Sequence, residues 1–284
     1  MAHFNLHFFK EKSRKIDIEA LIDYFESIEG FSVFPTEEQV LIKYNHPRLN
    51  YEAKFVITPK STVPDIYRLD PKYLDLNFHL SFPLITPYYM ANHIFEIVKK
   101  LVTLFDFYVY NEMFENVLAF KLEVTMKAFE MLKEAYIKKN PIILSDYYRL
   151  GKNKSNAVFR YLDDQIELLN YYKELDTHVP NLYVLLTNKK EYKLAIDWKE
   201  NSLTVFPPYI DYLFYRKNDE VVIIEYKEFF AKTEKFLSDV PGFIKETKVI
   251  NKKQGKKINK IMRKAKFTKI SIQYEKQNIK RLLD

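Results

Sequence analysis

The chain has 284 residues, of which 47% are hydrophobic and 29% charged, the proportions of a folded globular protein and not of a disordered or collagen-like one. Its length is about twice that of an average domain, so two domains are expected. The formal net charge is +7 and cysteine is absent, which excludes disulfide scaffolds, thiolate metal sites and thiol nucleophiles and fits a reducing cytoplasm.

Phe4, Leu6 and Phe8 alternate with His3, Asn5 and His7, predicting a first strand. The opening residues lack the charged region, apolar core and cleavage site of a secretory signal, and no run of about 18 apolar residues follows anywhere, so a cytoplasmic location without a transmembrane segment is expected. A helix comes next, with Asp17 as N-cap, Leu21, Ile22, Phe25 and Ile28 on its buried side, and Gly30 at its end. Residues 31–34, 39–44 and 51–58 predict three more strands, separated by Pro35 and by the turn-like Asn45-His46-Pro47.

The clearest stretch is 73–110. Leu74, Leu76, Phe78, Leu80 and Phe82 point one way and Asp75, Asn77, His79 and Ser81 the other, the pattern of a half-buried strand whose polar side forms a groove or a wet face. Met90, Ile94, Ile97, Val98, Leu101 and Val102 then stripe a helix, and 105–110 returns to the sheet. A further helix over 120–139 aligns Leu122, Met126, Phe129, Leu132 and Tyr136. The order β, α, β, β, β, β, α, β predicts an elaborated split βαβ domain over residues 1–140, with an antiparallel or mixed sheet and helices on one face.

Residues 141–244 predict a second α+β domain. A helix capped by Ser155 runs to about Lys173 and buries Val158, Leu162, Ile166 and Leu169. Strands at 183–186, 192–198, 203–206, 210–215 and 221–226 are joined by hairpin-sized turns, Lys217-Asn218-Asp219 among them, into an antiparallel meander closed by a helix over 227–238. The fold class is thus α+β in two domains, followed by a basic extension.

That extension, 245–284, holds 14 Lys and Arg against three acids, Glu246, Glu275 and Asp284, a net of +11 that leaves the rest of the chain at −4. Ile258, Ile261, Met262 and Ala265 share one helical face, while Lys252, Lys253, Lys256, Lys257, Lys260, Arg263 and Lys264 occupy the others. A strand over 266–274 and a last short helix with Ile279, Leu282 and Leu283 would dock it on the body. Clustered cations bind nucleic-acid phosphates through counterion release without any sequence motif, so RNA or DNA is the first partner expected and another protein the second. An anionic membrane surface is disfavoured, because the apolar stripe is narrow and lacks Trp and Phe.

Glycine occurs only at 30, 151, 242 and 255, so GxGxxG, Walker A and kinase phosphate loops are excluded; HExxH, GxSxG and EF-hand patterns are absent too, and no resident cofactor or metal is expected on these grounds. His3 and His7 share a strand face about 13 Å apart, too far to chelate one ion, and His93 reads as a satisfied polar residue.

One constellation carries a mechanism. Asp211 opens a predicted strand, and the next strand, Val221-Val222-Ile223-Ile224, leads into Glu225-Tyr226-Lys227. This resembles the core of the PD-(D/E)xK nuclease family, with Ile210 where that family has Pro. The resemblance implies that Asp211 and Glu225 hold Mg²⁺ from adjacent strands, that Lys227 positions the attacking water and that Glu167 matches the helical acid. The expected function is nevertheless non-catalytic binding or regulation through contact of residues 245–284 with nucleic acid. A Mg²⁺-dependent nuclease and a protein-interaction scaffold are the alternatives.

Overall fold

The computed structural model describes residues 2–12, 17–218, 220–243, 245–268 and 270–284. Asp219 of the predicted turn and Lys269 of the predicted 266–274 strand lie outside the described residues. The fold is α+β, and the chain divides into two compact units, Met1–Asp146 and Tyr147–Asp284. No helix among the described residues is long and apolar enough to cross a membrane.

The first unit runs β1 (His3–Glu11), α1 (Ile18–Glu26), β2 (Phe31–Pro35), β3 (Val40–Asn45), β4 (Glu52–Ile57), β5 (Tyr73–Pro83), α2 (Tyr88–Phe105), β6 (Tyr108–Tyr110), β7 (Leu118–Ala119) and α3 (Leu122–Lys139). Its strands form one sheet in the order β2-β3-β4-β5-β1-β6-β7, antiparallel at each pairing. β1 and β4 therefore run in the same direction with β5 between them, and β5 and β6 with β1 between them, which makes two interleaved split βαβ units. The cap at α1 forms as the sequence predicts: the Asp17 carboxylate accepts from the Ala20 N–H at 2.9 Å.

Aromatic rings fill the space between sheet and helices. Phe4 of β1 lies 5.5 Å from both Phe82 of β5 and Phe95 of α2, and 5.7 Å from Phe129 of α3. Phe8, Phe78, Phe55 and Phe25 continue the layer. Such tilted and edge-on pairs add to the large areas these rings bury.

Strict alternation fails in β5. Phe8 pairs with Phe78 but Phe9 with Asp75, so Leu76 and Asn77 are extra residues in a bulge, and Asn77 adopts φ +52°. Beyond the bulge Leu74 pairs with Lys10 and is 45% exposed instead of joining the core. The opposite face is not a simple wet surface either, because Val63 and Val117 fold over Phe9 and bury it.

The second unit runs β8 (Tyr148–Arg149), α4 (Lys152–Tyr172), β9 (Thr177–His178), β10 (Leu182–Thr187), β11 (Tyr192–Lys199), β12 (Leu203–Phe206), β13 (Tyr212–Lys217), β14 (Glu220–Glu225), α5 (Tyr226–Thr233), β15 (Ser238–Asp239), β16 (Lys248–Val249), α6 (Lys252–Lys264), β17 (Tyr274–Gln277) and β18 (Leu282–Leu283). The predicted run of hairpins is broken at β12. This strand leaves to pair with β16 and β9, so β13 returns beside β11 in parallel, and the main sheet reads β14-β13-β11-β10-β17.

α4 starts at Lys152, ahead of Ser155, which is buried in its first turn. Its buried stripe is Val158, Tyr161, Leu168 and Tyr172, while Ile166 and Leu169 face outward. Tyr161 decides this rotation: its ring is fully buried and its hydroxyl donates to the Pro180 carbonyl at 2.7 Å, which no outward phase would permit. The extension docks as expected but by different elements. Among the described residues 266–273 form no strand; β17 pairs with β10, and Leu282 and Leu283 pair in parallel with β8 as a short strand instead of ending a helix, both buried.

Candidate functional site

α6 is built from its cap outward. The Asn251 side chain accepts from the Gln254 N–H at 3.3 Å, and Gly255, Ile258 and Met262 form the buried stripe. Gly255 permits the close approach to β12, since a Cβ there would stand 3.0 Å from Leu203 Cδ2. With that face seated, Lys252, Lys253, Lys256, Lys257, Lys260, Arg263 and Lys264 are all exposed. Arg263 reaches Glu200 at 3.8 Å and Asn201 at 3.4 Å; the other six have no ion-pair partner among the described residues. Lys257, Lys260 and Lys264 rim a shallow groove floored by Phe236, Ile261 and Ala265, with the Lys257 ammonium 5.6 Å from the Phe236 ring centre.

The nuclease-like constellation is placed differently. Asp211 precedes β13, and its carboxylate accepts from Lys154 Nζ at 2.6 Å and from the Leu194 N–H at 2.7 Å. Glu225, exposed at the end of β14, is paired with Tyr212 and is not Asp211's cross-strand partner. Lys227 lies on α5, which begins at Tyr226, so the strand relation that would set Glu225 and Lys227 on one face does not apply. Glu167 is exposed on α4. Among the described residues no hydrogen bond or ion pair joins Asp211, Glu225 and Lys227, and Asp211 acts as a fastener between β13, β11 and α4. Asp211→Ala is expected to lower stability by about 1–3 kcal/mol, because it strands a backbone donor and a half-buried ammonium; thermal denaturation against wild type measures it.

The polar face of β5, expected as a groove or a wet face, gains in His7 and Tyr110 partners that sequence spacing did not show. β1 pairs His7 with His79 of β5 on one side and with Tyr110 of β6 on the other, aligning three rings in one row at centroid separations of 5.4 and 6.5 Å. They line a cleft of about 170 Å³ with His3, Asn5, Thr62 and Glu112. His7 is 7% exposed, and burial, reinforced by repulsion from His79, lowers its pKa to about 4. Burial lowers His79 as well, partly offset by Asp75, while burial raises Asp75. His93, read as a satisfied polar residue, has Nε2 at 3.4 Å from the Tyr44 hydroxyl.

No protein-family model, curated protein or solved structure matches this chain.

The His7 environment makes a pH prediction. The folded pKa is depressed, so the unfolded chain takes up the proton first on acidification; the stability is complete above about pH 6.5 and is lost as pH falls toward 4. The facing groups are His79, Tyr110, Asp75, His3 and Glu112. The protein should lose up to about 3 kcal/mol on this account between pH 7 and 4. Denaturation of wild type and His7→Gln across that range isolates it, and parallel curves would refute it.

Proposed function

We propose that the protein binds nucleic acid through the cationic face of α6. The observation that carries this reading is the exposure of all seven predicted cations on one docked helix, six of them without an ion-pair partner among the described residues. Their counterions are free to be released when phosphates replace them. Lys252 and Lys253 also sit in the first turn of α6, where the helix macrodipole opposes positive charge by about 0.3–1 kcal/mol each. A bound phosphate would relieve that repulsion. Phe236, Ile261 and Ala265 add an apolar floor beside the lysines, a surface suited to contacts with bases or sugars.

The test is binding of a fluorescent oligonucleotide, single-stranded and duplex, across a salt series. Neutralising about six phosphates predicts a slope of log K against log salt near −5 for the duplex. A slope near zero, or an affinity unchanged when the α6 lysines are replaced by Gln, would overturn the reading. Substitution is the sound approach here, because deleting residues 245–284 would also remove β17 and β18 from their sheets.

A further inference from the structure

We propose that the first unit binds a divalent first-row transition-metal ion between the imidazoles of His7 and His79. The two residues are direct cross-strand partners, and their ring centres stand 5.4 Å apart at an interplanar angle of 38°. With metal–nitrogen distances of about 2.0–2.1 Å and near-tetrahedral bond angles, two imidazoles on one ion hold their centres roughly 5–6 Å apart. The observed spacing lies in that interval.

Part of the polar lining around the pair is otherwise unused. His7 is 7% exposed, and buried His79 Nδ1 and Asp75 Oδ2 have no hydrogen-bond partner among the described residues, although Ser61 and the Asn77 N–H hold the Asp75 carboxylate. Buried polar atoms without partners are rare and call for an occupant or a function. Asp75 is the carboxylate that acts on His79, and its other oxygen is held by the Asn77 N–H at 3.0 Å. The two side chains are not hydrogen-bonded in this structure; with the ion on Nε2, the His79 Nδ1–H would turn to Asp75, the outer-shell arrangement that fixes a ligating histidine's tautomer.

The cleft, about 170 Å³, has room for several waters, so the ion keeps solvent or exchangeable ligands in its remaining positions. Glu112 at the mouth favours a cation, and no Lys or Arg lines the cleft. Imidazole nitrogens select Zn²⁺, Co²⁺, Ni²⁺ or Cu²⁺ over Mg²⁺ and Ca²⁺. His3 stands about 13 Å along β1 from His7 and is not a ligand. The rings of His46 and His93 also meet, 4.8 Å apart, but His46 Nδ1 already accepts the Arg48 and Leu49 N–H groups, each at 3.2 Å.

The experiment titrates the chelator-treated full-length chain with Co²⁺ and then Zn²⁺, followed by calorimetry and by the visible absorption of bound Co²⁺. One saturable equivalent is expected. His79→Gln should weaken it at least about 10-fold and Asp75→Asn about 10–100-fold, while His3→Gln leaves it unchanged. His7→Gln is read alongside, with folding checked by circular dichroism; if that variant unfolds, His79→Gln decides, together with selective paramagnetic broadening of the His7 and His79 ring resonances by Co²⁺ in wild type. Absence of a saturable equivalent, full affinity in His79→Gln, or loss in His93→Gln with retention in His79→Gln would each overturn the assignment.

Discussion

Replacing Lys256, Lys257, Lys260 and Lys264 together by Glu should abolish nucleic-acid binding near physiological salt and leave the fold intact. All four side chains are exposed and lie on the side of α6 away from Ile258 and Met262, so the core does not sense the change. α6 contains seven cations and no acid, and the substitution turns most of its charge negative. A site contacting six or more phosphates loses about 10³-fold or more in affinity when comparable electrostatic contacts are screened, and replacing attraction by repulsion should do at least as much. The control is the same reversal at Lys99, Lys100, Lys138 and Lys139, which are exposed on α2 and α3 and conserve the total charge change. An equal loss in the control would mean that net charge, and not α6, governs binding. Retained affinity in the α6 variant would remove the proposal.

Trp198→Ala is expected to destabilise the second unit by about 3–5 kcal/mol, a large share of the roughly 5–15 kcal/mol that holds an ordinary domain. Trp198 is fully buried, and its ring meets Phe206, Tyr215 and Phe229 at 5.6, 4.9 and 5.1 Å. It thereby ties β11 to β12, β13 and α5, elements of two different sheets and a helix. Its indole N–H also donates to the Ser202 carbonyl at 3.2 Å, leaving that acceptor without this donor in the variant. Because the chain has a single tryptophan, wild-type unfolding can be followed by its fluorescence, whereas the variant must be followed by circular dichroism. A loss below about 1 kcal/mol would mean that the surrounding rings collapse to fill the space.

The two expectations differ in how visible they were beforehand. The cations of α6 were legible, because a 3.6-residue period and a charge run are local properties; what the structure adds is that Gly255 seats the helix against Leu203 of β12 with Ile258 and Met262 buried. The His7–His79 pair was not legible. Sequence spacing compared His7 with His3 along one strand, yet the neighbour that matters is on β5, 72 residues later, and only the antiparallel register of β1 and β5 puts it there. The nuclease-like spacing shows the reverse case: Asp211 and Glu225 are correctly near adjacent strands, but Lys154, 57 residues before Asp211, claims its carboxylate.

By itself the sequence determined the α+β class, the Asp17 cap, the stripe of α2 and the amphipathic helix 252–264. Each follows from hydrogen bonds and side-chain directions repeating within a few residues. α3, in contrast, is rotated from the expected stripe so that Lys133 and Ile137 are buried in place of Leu132 and Tyr136. Only tertiary structure decided the bulge at Asn77, the departure of β12 that makes β11 and β13 parallel, and the rotation that buries Tyr161 and exposes Ile166. Strand register, neighbour choice and helix rotation depend on which distant surface is available to bury an apolar side chain, and that surface exists only once the chain has packed.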